Sequence, residues 1–234
     1  MISIADNIGG VTRRIQKATL AAGREPGAVR LLAVSKTRGP EDIRVARAAG
    51  QVAFGENYLQ EALDKIDALA DLPDLEWHFI GPIQSNKTRD IANRFDWVHS
   101  VDRLKIARRL NDQRNPDLPP LNVCLQVNIN GEDSKSGCHP DELEALAEGF
   151  EELPNLSLRG LMAIPDPDQS EGDLKQSFRA LANALKHLKT AHPTLGPLDT
   201  LSMGMSDDLE SAITEGATWV RVGSAVFGPR PAKG

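Results

Sequence analysis

Residues 29–49 read VRLLAVSKTRGPEDIRVARAA, and this stretch sets the fold class. Residues 29–35 (VRLLAVS) form a short, mostly apolar run without helical period, the pattern of a strand covered on both faces. Gly39-Pro40 break the chain, proline being suited to a first helical turn. Residues 41–49 then carry a helical pattern. Strand, loop and helix make one βα unit.

The same unit recurs along the chain. Strands are expected at 52–55, 76–81, 97–101, 122–129, 158–164, 199–203 and 218–223. Helices are expected at 57–69, 85–95, 103–111, 141–152, 170–190 and 207–215, and the last strand runs towards the C-terminus. Short apolar strands separated by amphipathic helices indicate a parallel sheet covered by helices, and eight of them close a (β/α)8 TIM barrel. The 234 residues fall slightly short of the roughly 250 typical of that architecture and are read as one domain, 1–234. An extra N-terminal helix, with Ile4, Ile8, Val11 and Ile15 at helical spacing, is expected to cap the barrel's bottom. A doubly wound open sheet is the alternative. It calls for a Gly-rich loop after the first strand, where Ser35-Lys36-Thr37-Arg38 stand instead.

Composition narrows the function. Hydrophobic residues at 40% and charged residues at 26% are ordinary for a soluble globular chain, and no apolar run approaches a membrane span. A net charge of -6 argues against nucleic acid as a partner. The basic residues Arg103, Lys105, Arg108 and Arg109 read as the solvated face of a helix. Two cysteines, Cys124 and Cys138, give neither a disulfide framework nor metal-ligand spacing, so no metal is expected and a reducing cytoplasm is.

Barrel chemistry collects at the C-terminal ends of strands, with phosphate commonly bound after strands seven and eight. Those ends carry Lys36, Glu56-Asn57, His78 and Gly81, 128–135, Met162, 202–206 and 221–224. Lys36 follows LLAVS, so apolar walls and a cation such as Arg221 would favour the neutral amine that attacks an aldehyde. A strand-end lysine with its stem packed and its head in water is equally compatible with that position. Gly223 lets backbone N–H groups approach a phosphate, Ser224 adds a hydroxyl, and Arg221 points to the same side of its strand as Gly223. Arg221 paired with a barrel carboxylate such as Glu56 is the competing reading. Ser206 or Asp207 reads as a helix N-cap, which explains Ser206 without a ligand but leaves Ser202 unexplained.

These motifs stand in order along almost the whole chain: LLAVSK, FGENYLQE (54–61), WHFIGPIQSNK (77–87), VNINGEDSKSG (127–137), GLMAIP (160–165), LSMGMSDDLESAI (201–213) and VRVGSAVFG (220–228). Together they resemble the pyridoxal phosphate homeostasis protein family, itself similar to the N-terminal barrel of alanine racemase. The resemblance implies pyridoxal 5'-phosphate as cofactor, with Lys36 as the Schiff-base residue and Arg221 on the pyridine nitrogen. Gly223, Ser224 and Ser202 would meet the phosphate, with Ser206 an open alternative to Ser202. Asn57, His78 and Met162 would line the ring, although His78 also reads as a packed strand histidine.

An arginine opposite the pyridine nitrogen disfavours its protonation and weakens the cofactor as an electron sink. Racemases that share this feature use a second base, a tyrosine from a C-terminal β-domain. This chain ends at Gly234, too soon after Gly223 for such a domain, and its one tyrosine is Tyr58 near a helix start. The expected function is therefore non-catalytic: a monomer that holds the cofactor and delivers it to apo-forms of pyridoxal phosphate enzymes. A small racemase or a Schiff-base aldolase is the enzyme alternative, and an interaction protein that has lost its ligand is a third. Lys135 is a candidate second acceptor of the aldehyde.

Overall fold

Eight parallel strands pair in chain order, and the eighth returns to the first. They are β1 Arg30–Val34, β2 Ala53–Glu56, β3 Glu76–Phe79, β4 Trp97–Val101, β5 Leu121–Gln126, β6 Leu156–Met162, β7 Thr200–Ser202 and β8 Trp219–Val222. The pairing of Arg30 with Trp219 and of Leu32 with Arg221 closes the barrel and rules out the open sheet. The helices are α1 Ile4–Ala21, α2 Pro40–Ala48, α3 Leu59–Ala68, α4 Thr88–Arg94, α5 Leu104–Gln113, α6 Leu143–Glu148, α7 Glu171–Ala191, α8 Leu209–Thr214 and α9 Ser224–Phe227. This is a computed structural model, and it describes residues 3–132, 136–166 and 168–229.

Boundaries depart from the expected ones where local chemistry intervenes. The helix expected over 57–69 starts at Leu59, because Tyr58 keeps an extended backbone at φ -118 and ψ 115. The helix expected over 207–215 starts at Leu209, with Asp208 rather than Ser206 or Asp207 at the N-cap position. The segment 141–152 splits into a 3-10 turn Pro140–Glu142, α6 and a second turn Gly149–Glu152, consistent with the poor helix propensity of Gly149. β5 ends at Gln126, after which Val127 and Asn128 donate to the carbonyls of Met162 and Cys138.

Most apolar burial lies between the outer face of the strands and the helices, where Phe54, Val98, Val123, Leu161 and Val220 meet residues such as Ile43, Ile91, Ile106, Leu181 and Ala212. Each of the larger of these side chains contributes roughly 1.5–3 kcal/mol by leaving water. The barrel's interior is different. Two small apolar groups, Leu32 with Ala53, Ile80 and Trp219, and Trp97 with Cys124 and Met162, share it with polar residues. At the floor Arg30 lies 4.1 Å above the Trp219 ring and Arg159 lies 4.7 Å above that of Trp97. These contacts pair a cation with an aromatic face at the start of strands β8 and β4.

The N-terminal helix does not cap the bottom, as its position before β1 suggested. A capping box between Ser3 and Asp6 starts α1, whose Ile8, Val11 and Ile15 are buried as it runs beside α8, α9 and α2 on the barrel's outer wall. Asn7 donates to the carbonyl of Val226, and Arg14 to that of Ser206 and to the Glu210 carboxylate. Those bonds tie α1 to segments that reach the barrel mouth.

Gly160 of β6 sits opposite Thr200 of β7. A β-carbon there would lie 1.8 Å from the Thr200 carbonyl oxygen, which cannot yield without parting the two strands. Gly160→Ala is expected to lower the melting temperature by roughly 10 °C, several kcal/mol in a chain of this length. Scanning calorimetry measures this, and an unchanged transition would refute the tight β6–β7 approach.

Candidate functional site

At the C-terminal ends of the strands a cavity of about 270 Å³ opens among Lys36, Asn57, Ile80, Ile164, Met205, Ser206, Arg221, Gly223, Ser224 and Phe227. Lys36 lies two residues beyond β1, and the main chain on either side of it is held. Before it, the Ser35 N–H donates to the Gly55 carbonyl, and the Ser35 carbonyl accepts from Lys65 Nζ at 2.7 Å. After it, Thr37 takes a left-handed φ of 64°, unusual for a β-branched residue, and its N–H donates to Glu61 at 2.6 Å. Glu61 and Lys65 are one turn apart on α3 and pair with each other. The α3 helix thus grips the peptide groups flanking Lys36.

Lys65 is buried, as is Glu56, its partner at 2.8 Å; the Ser35 hydroxyl donates to the same carboxylate oxygen at 2.5 Å. Burial pushes the Glu56 carboxyl above its ordinary range against the opposing pull of Lys65. Its second oxygen has no hydrogen-bond partner among the described residues. The competing reading of Arg221 as Glu56's partner is thereby corrected, since Lys65 occupies that role.

Arg221 enters the cavity from β8 and is 5% exposed. Its guanidinium donates to Ser202 Oγ at 2.8 Å and to the Ala163 carbonyl at 2.9 Å, and among the described residues no carboxylate forms an ion pair with it. Burial pulls its pKa down to about 10, which still leaves it charged at neutral pH. Beyond β8, Gly223 begins the single turn α9, and Ser224 Oγ lies 3.4 Å from Ser206 Oγ. Asp208 stands at the N-cap position of α8 and accepts the Met205 N–H at 2.5 Å, and Ser206 lines the mouth.

Six of the nine residues singled out from the sequence therefore line one cavity: Lys36, Asn57, Ser206, Arg221, Gly223 and Ser224. Asn57 sits there because Gly81 lacks a side chain; a β-carbon at 81 would come within 2.0 Å of the Asn57 carbonyl oxygen. The Asn57 amide oxygen is buried without a partner among the described residues. The other three are not on the wall. Ser202 lies beneath Arg221, its hydroxyl committed to the guanidinium and to His99. His78 is fully buried, stacked on Trp97 with ring centres 5.4 Å apart, and Met162 packs with Trp97 and Cys124. Lys135 lies outside the described residues. His99, Glu61 and Lys65 did not stand out in the sequence, because their importance comes from partners on other elements.

The chain matches the family described as alanine racemase, N-terminal domain, over residues 11–231. A pyridoxal phosphate homeostasis protein of Pseudomonas aeruginosa is 63% identical over 230 residues, covering 98% of this chain and 97% of that one. The protein of the same name from Escherichia coli K12 is 52% identical over 232 residues, covering 98% of each. This chain belongs to the pyridoxal phosphate homeostasis protein family. PipY of Synechococcus elongatus, solved with PLP bound, superposes with a TM-score of 0.83 at 37% identity, over 97% of this chain and all of that one.

In this member of the homeostasis protein family, the Glu56–Lys65 pair behind the Lys36 turn is buried on both sides. Removing one partner of a buried pair strands the other, so Lys65→Met is expected to cost roughly 3–5 kcal/mol at neutral pH. Because burial raises the Glu56 pKa, the folded protein holds that proton more tightly than the unfolded chain. Stability tied to it is present at low pH and lost as pH rises through the raised value. Urea unfolding should therefore show a larger deficit for the variant at about pH 8 than at about pH 5.5. Equal deficits would show that Glu56 does not carry the charge.

Proposed function

We propose that this chain holds pyridoxal 5'-phosphate at the barrel mouth with Lys36 on its aldehyde, and that it stores the cofactor and delivers it to apo-forms of pyridoxal phosphate enzymes. The observation that carries this reading is the cavity shared by Lys36 and a buried Arg221 guanidinium that lacks a carboxylate partner among the described residues. Lys36 lies two residues beyond β1 and Arg221 lies on β8, and the two strands are paired neighbours.

The residues present fit the group. Arg221 offers a donor to the pyridine nitrogen. Gly223 and the hydroxyls of Ser206 and Ser224 suit the phosphate, with Ser206 taking the role first expected of Ser202. Asn57 brings an amide oxygen that lacks a partner to the edge of the cavity. His78, Met162 and Ser202 support the site from beneath.

Bound pyridoxal phosphate supplies an aldehyde for amines and, when its ring nitrogen is protonated, an electron sink. Arg221 is charged and can only donate, so it favours an unprotonated ring nitrogen and a weak sink. Besides Lys36, the ionisable side chains on the cavity wall among the described residues are Arg38, Asp207 and Arg221, and Tyr58 is 56% exposed. A protein so built keeps the cofactor rather than turning substrate over. Two buried, unpaired cysteines suit the cytoplasm as its setting, and singly scattered exposed apolar residues suit a monomer of one domain. No helix among the described residues is long and apolar enough to cross a membrane.

The pure protein mixed with pyridoxal phosphate is expected to absorb in the visible violet and, after borohydride, to carry the cofactor on the peptide containing Lys36. Lys36→Ala should lose the band and the adduct. A colourless protein would overturn cofactor binding and favour the aldolase. Substantial racemisation or transamination of amino acids would overturn storage and favour the enzyme.

A further inference from the structure

Five side chains are hydrogen-bonded in series from the floor of the barrel to the mouth. Glu76 Oε1 lies 2.7 Å from His78 Nε2, His78 Nδ1 lies 2.8 Å from His99 Nε2, and His99 Nδ1 lies 2.7 Å from Ser202 Oγ. Arg221 then donates to Ser202 at 2.8 Å. His78, His99 and Ser202 are fully buried. The residues come from β3, β4, β7 and β8, so the series crosses the interior instead of following a strand.

The two ends differ in kind, since a carboxylate only accepts and a guanidinium only donates. Glu76 therefore requires a proton on His78 Nε2. A neutral His78 must then accept at Nδ1, which requires a proton on His99 Nε2. A neutral His99 accepts in turn at Nδ1, so Ser202 donates to it and receives Arg221 on a lone pair. Both rings are held neutral by burial, and a charge on His99 would face His78 and Arg221. One direction and one tautomer for each ring satisfy every member.

The lower part of the series is mechanically fixed. The His78 ring stacks on Trp97 at an interplanar angle of 6° and meets the edge of Trp219 with centres 4.8 Å apart. Glu76 is also paired with Arg30 at 3.3 Å and borders a floor cavity of about 440 Å³ shared with Asp96, Arg114 and Asn122. Its carboxyl stays below the ordinary range: burial raises it, but His78 and Arg30 outweigh that.

We propose that Glu76, His78, His99 and Ser202 are positioning residues that orient the Arg221 guanidinium, so that a carboxylate on the barrel's floor aligns the group presented at its mouth. The proposal rests on the cofactor reading only for what Arg221 meets. The alignment itself is a property of the cofactor-free protein.

Nitrogen-15 NMR of the unmodified, cofactor-free protein is the first test. His78 and His99 are expected as Nε2–H tautomers that do not titrate between about pH 6 and 8. The Arg221 side-chain N–H groups should exchange slowly with water. An Nδ1–H tautomer at either ring, or a ring titrating in that range, would overturn the proposal.

The second test uses variants. Ser202→Ala and Glu76→Leu are expected to speed Arg221 N–H exchange at least tenfold, whereas Ser202→Thr and Glu76→Gln, which keep a hydroxyl and an acceptor, restore it. With pyridoxal phosphate added, Ser202→Ala should bind about tenfold more weakly and shift the visible band, and Ser202→Thr should reverse both. Unchanged exchange and an unchanged band in Ser202→Ala and Glu76→Leu would overturn the proposal. Altered Arg221 exchange in a protein with no visible band would support the alignment while overturning the cofactor reading.

Discussion

A guanidinium inside a closed barrel, with no carboxylate pressed against it among the described residues, is the constraint around which the interior is organised. Moving a cation out of water is costly unless donors and dipoles are matched to it. Here the matching is done by a carbonyl, a hydroxyl and a pair of neutral imidazoles, all acceptors or relays of acceptance. An apolar barrel core of ordinary kind could not accommodate it. The interior therefore gives up apolar packing along one path, and the greater part of the apolar burial moves outward, between strands and helices.

The Lys36 side of the cavity is solved differently. There the protein places formal charges in the interior, Lys65 against Glu56 and Glu61, and directs them at the main chain around the lysine. The two strands that meet at the barrel's seam thus carry two kinds of support: neutral hydrogen-bonded groups beneath Arg221 and an ionic cluster behind Lys36. This separation leaves Arg221 without a carboxylate ion-pair partner among the described residues, while Glu61 is bonded to the peptide backbone of the Lys36 turn.

The barrel could be read from the sequence because each strand is a short apolar run bounded by turn residues, and because a covered parallel sheet erases the alternation that would have misled the reading. That Lys36, Asn57, Arg221, Gly223 and Ser224 gather at the barrel mouth is legible for a simpler reason: they follow or end strands. Ser202 and His78 lie beneath the cavity wall on which the sequence reading expects them. Their side chains point inward, and depth inside a barrel depends on how neighbouring strands are staggered, which adjacent residues do not disclose. His99 had a usable signal, being two residues from Trp97 and so on the same face of β4. Its partner, however, is 103 residues away. Glu61 and Lys65 look like any exposed ion pair one helical turn apart, and what distinguishes them is the burial of Lys65 and the bond of Glu61 to the Thr37 N–H.

The grip of α3 on the Lys36 turn falls on the carbonyl of residue 35 and the N–H of residue 37. Neither bond involves the side chain at position 36. The backbone of the turn, left-handed Thr37 included, is thus held on either side of residue 36. Whatever position 36 presents to the cavity is thus aimed by a helix that touches only its peptide neighbours' backbone at these two points.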